Sequence, residues 1–216
     1  MTVEIDTPHG KAVAHLHASE DASAALVLGH GAGGGVNAPD LVAAKRTALA
    51  HGVAVVLVEQ PYRVAGRRSP APAHQLDAAW LAVVEHLAGR QLAGLRLITG
   101  GRSSGARVAC RTAAATGATG VLCLAFPVHP PGRPEKSRLS ELDAVAVPTL
   151  VVQGARDPFG MPSPGLHRTV VEVSGDHSLR SDVEAVEQAV GDWLRGLAAS
   201  SDRPRGRSRR SARSTR

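Results

Sequence analysis

The sequence predicts an α/β domain built on a mainly parallel sheet with helices over both faces. Segments of strand length alternate with segments of helical periodicity along the chain. The strand segments are apolar throughout rather than at every second position, as expected of strands covered on both sides. The 216 residues suffice for one domain with a sizeable core.

Two strand-like pieces, near 3–6 and 12–17, flank the turn signal "TPHGK" and should add antiparallel strands at one edge. "ALVLG" is the third strand, followed by a glycine-rich loop. Asn37 then reads as a helix N-cap, with Pro39 near the first helical position. Leu41, Ala44, Ala48 and Leu49 form the apolar stripe, and Gly52 ends the helix. The strand at 53–58 runs into the turn-rich loop "EQPYRVAGRRSPAP". Leu76, Ala79, Trp80, Val83, Val84 and Leu87 recur at spacings of three and four, which predicts a helix. "LRLITG" is a strand, and a helix is expected over about 104–115. Then come the strand "GVLCLAF", the loop "PVHPPGRPEKSR", a short helical piece, and the strands "PTLVVQG" and "TVVEV". A last helix carries Val183, Val186, Val190, Trp193, Leu194 and Leu197 on one face.

A net charge of +6 would suggest a polyanionic partner if it covered the fold. It does not: "SSDRPRGRSRRSARSTR" holds seven arginines against one aspartate, leaving 18 basic and 18 acidic residues elsewhere. The expected organisation is a folded domain over 1–198 and an Arg/Ser-rich tail over 199–216. The tail is too poor in apolar residues to repay its ordering entropy, so disorder is expected. A weak, salt-dependent contact with nucleic acid is the most it offers. "MTVEIDTPHG" has neither a basic start nor an apolar stretch of signal length, and the longest apolar run, "VAVVLV", is too short to span a bilayer. A cytoplasmic protein without a membrane span is expected. Cys110 and Cys123 lie in apolar segments outside any C-x-x-C pair, so neither a disulfide framework nor a zinc site is expected.

Two glycine-rich motifs compete for the chemistry. Gly29, Gly31 and Gly34 spell G-x-G-x-x-G, and a later strand ends in Glu59, as in a dinucleotide fingerprint. However, residues 35–38 intervene before the helix, too long a loop for a helix N-terminus to meet a pyrophosphate. The motif also follows the third strand, not the first. The second motif is Gly101-Arg102-Ser103-Ser104-Gly105, a G-x-S-x-G set between a strand and a helix, the setting of a nucleophile elbow. Its frame selects Ser103 as the nucleophile.

A serine hydroxyl needs a base, and the base needs an orienting carboxylate. Asp157 follows the strand "PTLVVQG", and His177 follows "TVVEV", giving the chain order Ser, Asp, His at strand carboxyl ends. Asp176 reads as a turn or cap residue and Glu59 as a weaker substitute acid. "HGAGG" then reads as the oxyanion loop: the N–H groups of Ser104 and Ala32 are the expected donors, with Gly33 next. His30 should brace that loop. Gly33, Arg102 and His129 are candidate substrate-binding residues. Arg63, Arg67 and Arg68 stand near the same edge, either as surface charges or as contacts for an anionic substrate.

"LGHGAGGG", "EQPYRVAGRR", "TGGRSSGARVA", "FPVHPPGRPEKSR", "PTLVVQGARDPFG" and "GDHSL" resemble the KANL/TEX-type α/β hydrolases, which are related to dienelactone hydrolase. The resemblance runs over roughly 25–195. It implies an α/β-hydrolase fold with a minimal lid and a triad of Ser103, Asp157 and His177. Ser104 departs from the methionine or other bulky residue common in the family, a change that leaves the backbone N–H in place. The expected activity is hydrolysis of a small ester-like substrate, which needs neither metal nor cofactor. Some relatives in animals look like components of larger assemblies, so a non-catalytic binding or scaffold protein is the alternative.

Overall fold

The structure, a computed structural model, describes residues 1–19 and 21–201. β1 (Thr2–Thr7) and β2 (Gly10–His17) form a hairpin that leads to β3 (Ala24–Gly29), α1 (Pro39–Ala50) and β4 (Val53–Glu59). α2 (Pro61–Val64), α3 (Ala73–Ala88), β5 (Arg96–Arg102), α4 (Ser104–Thr112) and β6 (Gly120–Leu124) follow. The chain continues through α5 (Leu139–Asp143), β7 (Thr149–Gly154) and β8 (Arg168–Val173) to α6 (Val183–Ser201).

The strands join one sheet in the order β1-β2-β4-β3-β5-β6-β7-β8. β1, β2 and β4 pair antiparallel, while every pairing from β4 to β8 is parallel. The topology locates the site. From β3 the chain moves outward to β4 on one side, then returns to β5 on the other and proceeds to β8. The carboxyl ends of β3 and β5 therefore flank a topological switch point, where open α/β sheets bind ligands.

Successive side chains of a strand face opposite layers. Leu26, Leu28, Val55, Leu57, Leu122 and Leu124 pack against Leu41 and Ala44 of α1 and Val186 and Val190 of α6. Ala25, Val27, Val56 and Val58 pack against Trp80 and Val83 of α3 on the other face. Val121, Cys123 and Val151 meet α4 and α5 on that same side. This two-sided burial explains why the strands read as continuous apolar runs.

Several boundaries differ from expectation. The N-cap of α1 is Ala38, with no side-chain cap bond; Asn37 is exposed one residue earlier, and Pro39 alone sets the helix start. The loop "EQPYRVAGRR" contains the short helix α2, opened by Pro61. α4 ends at Thr112 rather than near 115. Thr112 Oγ1 donates to the Val108 carbonyl (2.7 Å) and Thr116 Oγ1 to the Thr112 carbonyl (3.1 Å), local bonds that compete with helix propagation. β5 reaches Arg102, which brings the strand to the doorstep of Ser103. α6 runs to Ser201, three residues beyond the expected end of the folded domain, and the rest of the expected tail lies outside the described residues. Between β6 and α5, residues 125–138 hold neither helix nor strand and form a short flap. Among the described residues, no helix is long and apolar enough to cross a membrane.

Candidate active site

Three glycines let strand and helix approach at the switch point. Gly29 and Gly101 are register partners on β3 and β5. A Cβ on Gly101 would stand 2.5 Å from the Gly29 carbonyl oxygen, and one on Gly105 only 2.4 Å from the same atom. Between them Ser103 is held at φ 51° and ψ −108°, a left-handed conformation that costs a non-glycine residue on the order of 1–3 kcal/mol. Its N–H donates to the Leu124 carbonyl of β6 (2.9 Å), which fixes the turn. The strain lifts the side chain out at the head of α4.

Ser103 Oγ lies 2.9 Å from His177 Nε2, and His177 Nδ1 lies 2.8 Å from Asp157 Oδ2. The carboxylate must accept, so Nδ1 carries the proton and Nε2 accepts from the serine hydroxyl. The two supporting loops are stitched together: Arg156 N–H donates to the Gly175 carbonyl (2.8 Å). A Cβ on Gly154 would stand 2.4 Å from the Asp176 carbonyl oxygen.

Asp157 is oriented from every side. Its Oδ1 accepts the Phe159 N–H (2.9 Å) and its Oδ2 accepts Gln153 Nε2–H (2.7 Å). Gln153 is fully buried, and the same Nε2 also faces the carbonyls of Phe126 (3.1 Å) and Gly160 (2.9 Å). Three acceptors around one atom require the amide NH2 there, which fixes the flip. The Phe159 ring lies on the His177 imidazole, centroids 4.2 Å apart at 33°, and covers one face of it. Asp176 faces away from the ring: its Oδ1 accepts both the N–H and the hydroxyl of Ser178, bonds that hold its carboxyl below the usual carboxylate value. Glu59 is paired with His15 (2.7 Å).

Ser104 is the first residue of α4, so its N–H has no carbonyl one helical turn behind it. Opposite, Gly31 and Gly34 close a turn (Gly34 N–H to Gly31 carbonyl, 3.2 Å) whose central residues are Ala32 and Gly33. Tyr62 Oη–H donates to the Ala32 carbonyl (2.9 Å) and so pins that peptide. Burial pushes the Tyr62 hydroxyl up to about 12, which keeps it a donor. Four residues, 35–38, separate this turn from α1, so the glycine run is separate from a helix N-terminus, contrary to the dinucleotide reading.

His30 is buried and braces this loop. Its Nδ1–H donates to the Gly31 carbonyl (2.8 Å), and its Nε2 accepts the Gln60 N–H (3.1 Å). The bond accepted at Nε2 requires the neutral ring, and burial, which outweighs the Gly31 bond, holds its proton affinity below the ordinary 6.5. The unfolded chain therefore binds the extra proton first. This contribution to stability is complete above 6.5 and is lost as pH falls from 6.5 through the lower folded value, with a slope of at most about 1.4 kcal/mol per pH unit. Urea midpoints should fall on acidification from about pH 7.5 to about pH 5, across the ordinary His range, and His30→Gln should flatten that fall.

The remaining candidates are placed as follows. Gly33 is exposed, with open space around it. His129 N–H donates to the Phe159 carbonyl (3.0 Å) and its Nδ1–H to the Pro130 carbonyl (2.9 Å), so it supports the turn that carries Asp157. Arg102 turns toward Asp40 and the His177 backbone. Arg67 and Arg68 are exposed. Among the described residues, no group of three or more His, Cys, Asp and Glu is arranged to hold a metal ion.

The model of the alpha/beta hydrolase domain family matches residues 22–193. No functionally curated protein matches the chain significantly. Among solved structures, the chain is similar to XC6422 from Xanthomonas campestris, described as an α/β serine hydrolase without a lid, at 20% identity and a TM-score of 0.74, covering 91% of this chain and 94% of that one. It is also similar to Est1E from Butyrivibrio proteoclasticus (17% identity, TM-score 0.71, 92% and 99% covered). Dienelactone hydrolase from Anabaena variabilis gives 17% identity, a TM-score of 0.72, and 91% and 96% coverage. At these identities the structures establish the shared fold, and the family match over residues 22–193 places this chain in the alpha/beta hydrolase domain family.

Proposed function

We propose that the protein is a serine hydrolase that cleaves small ester-like substrates through Ser103, His177 and Asp157. The observation that carries this reading is the unbroken chain from Ser103 Oγ through both ring nitrogens of His177 to Asp157. Ser103 attacks the carbonyl carbon as His177 Nε2 takes its proton, and Asp157 stabilises the imidazolium. The N–H groups of Ser104 and Ala32 receive the oxyanion. His177 then gives the proton to the leaving alcohol, and water, deprotonated by the same nitrogen, releases the acid and restores Ser103. Esterase and dienelactone hydrolase structures among the similar folds support the acyl-transfer class, and the short 125–138 flap suits a small, solvent-reached substrate. The quoted motifs support a place among the KANL/TEX-type members of the family.

Turnover of p-nitrophenyl acetate and p-nitrophenyl butyrate tests the reading. Activity in the wild type that falls by a factor on the order of 10⁶ in Ser103→Ala, to the background rate, is expected. Equal turnover by the folded mutant would refute it.

A further inference from the structure

Arg102 stands immediately before Ser103, and its guanidinium meets three parts of the site. Nε lies 2.9 Å from Oδ2 of Asp40 in the first turn of α1. Nη2–H donates to the His177 carbonyl (3.1 Å). Nη1 lies 2.8 Å from where a Cβ on Gly31 would be, so the missing side chain of Gly31 is what lets the guanidinium pass beneath the oxyanion loop. Asp40 is fully buried, and its Oδ1 accepts the Leu41 N–H (2.9 Å). Burial pushes its carboxyl up and the guanidinium opposes that shift.

Burying this pair is costly, and a buried ion pair is weak evidence of a stability role. An arginine needed only to neutralise Asp40 would have no reason to end on the backbone of the base. The planar fork of arginine lets one side chain pair with the Asp40 carboxylate and bond the His177 carbonyl at fixed angles, which a lysine cannot do. We propose that Arg102, with Asp40 as its counter-ion, is a positioning residue: it packs against Gly31 of the oxyanion loop and links the head of α1 to the His177 backbone across the nucleophile. The inference rests on the hydrolase reading above and assigns Arg102 a role other than substrate binding. Through this link, Arg102 adds a constraint on the spacing between the oxyanion donors and the base, beside those from Tyr62, His30 and the Arg156 backbone.

The test compares Arg102→Ala, Arg102→Lys and Asp40→Asn with the wild type on p-nitrophenyl acetate, with kcat taken per folded molecule. Arg102→Ala should lower kcat about 10²-fold, the cost of a small misplacement of catalytic groups, with KM within about twofold. Guanidinium ion at sub-denaturing concentration should restore part of that loss. Arg102→Lys should stay impaired although it keeps the charge, and Asp40→Asn should show a smaller loss in the same direction. If Arg102→Ala does not fold, the lysine and Asp40→Asn variants carry the same comparison. Unchanged kcat in the folded variants would overturn the inference, and so would a rise in KM alone, which would mark Arg102 as a substrate contact. A wild type that turns over no ester would instead overturn the hydrolase reading and take this inference with it, so the two failures are distinguishable.

Discussion

Asp157→Asn should lower kcat about 10⁴-fold while the protein stays folded. The carboxylate accepts on both sides: from the Phe159 N–H at Oδ1, and from Gln153 Nε2–H and His177 Nδ1–H at Oδ2. An amide offers one acceptor and one donor. With its oxygen toward Phe159, its NH2 faces the NH2 of Gln153 and forces His177 to present an unprotonated Nδ1. The proton then sits on Nε2, where it blocks proton transfer from Ser103. With the amide turned the other way, NH2 opposes the Phe159 N–H. Steady-state kinetics beside a circular dichroism melt would check this; a loss below tenfold in folded protein would mean that Asp157 does not orient the base.

Gly105→Ala should be among the most damaging single methyl additions. The new Cβ would lie 2.4 Å from the Gly29 carbonyl oxygen, 2.6 Å from its carbon and 2.9 Å from the His30 carbonyl oxygen, all backbone atoms of β3 and the residue after it. No side chain can swing away to make room. The helix must retreat from the sheet, at about 3 kcal/mol or more, the upper part of the overpacking range. For a domain of this size the thermal midpoint should fall by roughly 6–12 °C. Gly33→Ala, where nothing lies within 4 Å of the added atom, serves as the control and should stay within about 0.5 kcal/mol. Equal melting of the two variants would contradict the close-packed elbow.

That Ser103, Asp157 and His177 meet at one edge of the sheet was legible in the sequence. Ser103, Asp157 and His177 each come just after an apolar run, and a parallel sheet delivers such residues to one edge whatever the details of the loops. What escaped was side-chain traffic between distant segments. Arg102 read as a substrate contact because a charge at a sheet edge has no partner in sequence; its partner Asp40 lies 62 positions away, and no local pattern joins the two. Gln153 was hidden inside "PTLVVQG", although a polar residue in a strand buried on both faces was itself a signal. Tyr62, the single tyrosine of the chain, sat in a segment read as turns, and its bond to Ala32 depends on α2, a helix too short to carry periodicity. Asn37 misled because side-chain preference at an N-cap tolerates a shift of one residue when proline sets the helix start.

The central claim is that Ser103 is an activated nucleophile, and a fluorophosphonate probe tests it without any assumption about substrate. The purified, folded protein should gain one covalent adduct, mapped by peptide mass spectrometry to Ser103 and absent from Ser103→Ala and from heat-denatured protein. Folded protein that stays unlabelled, or that carries the adduct elsewhere, would contradict the account and favour a binding or scaffold role for this hydrolase fold.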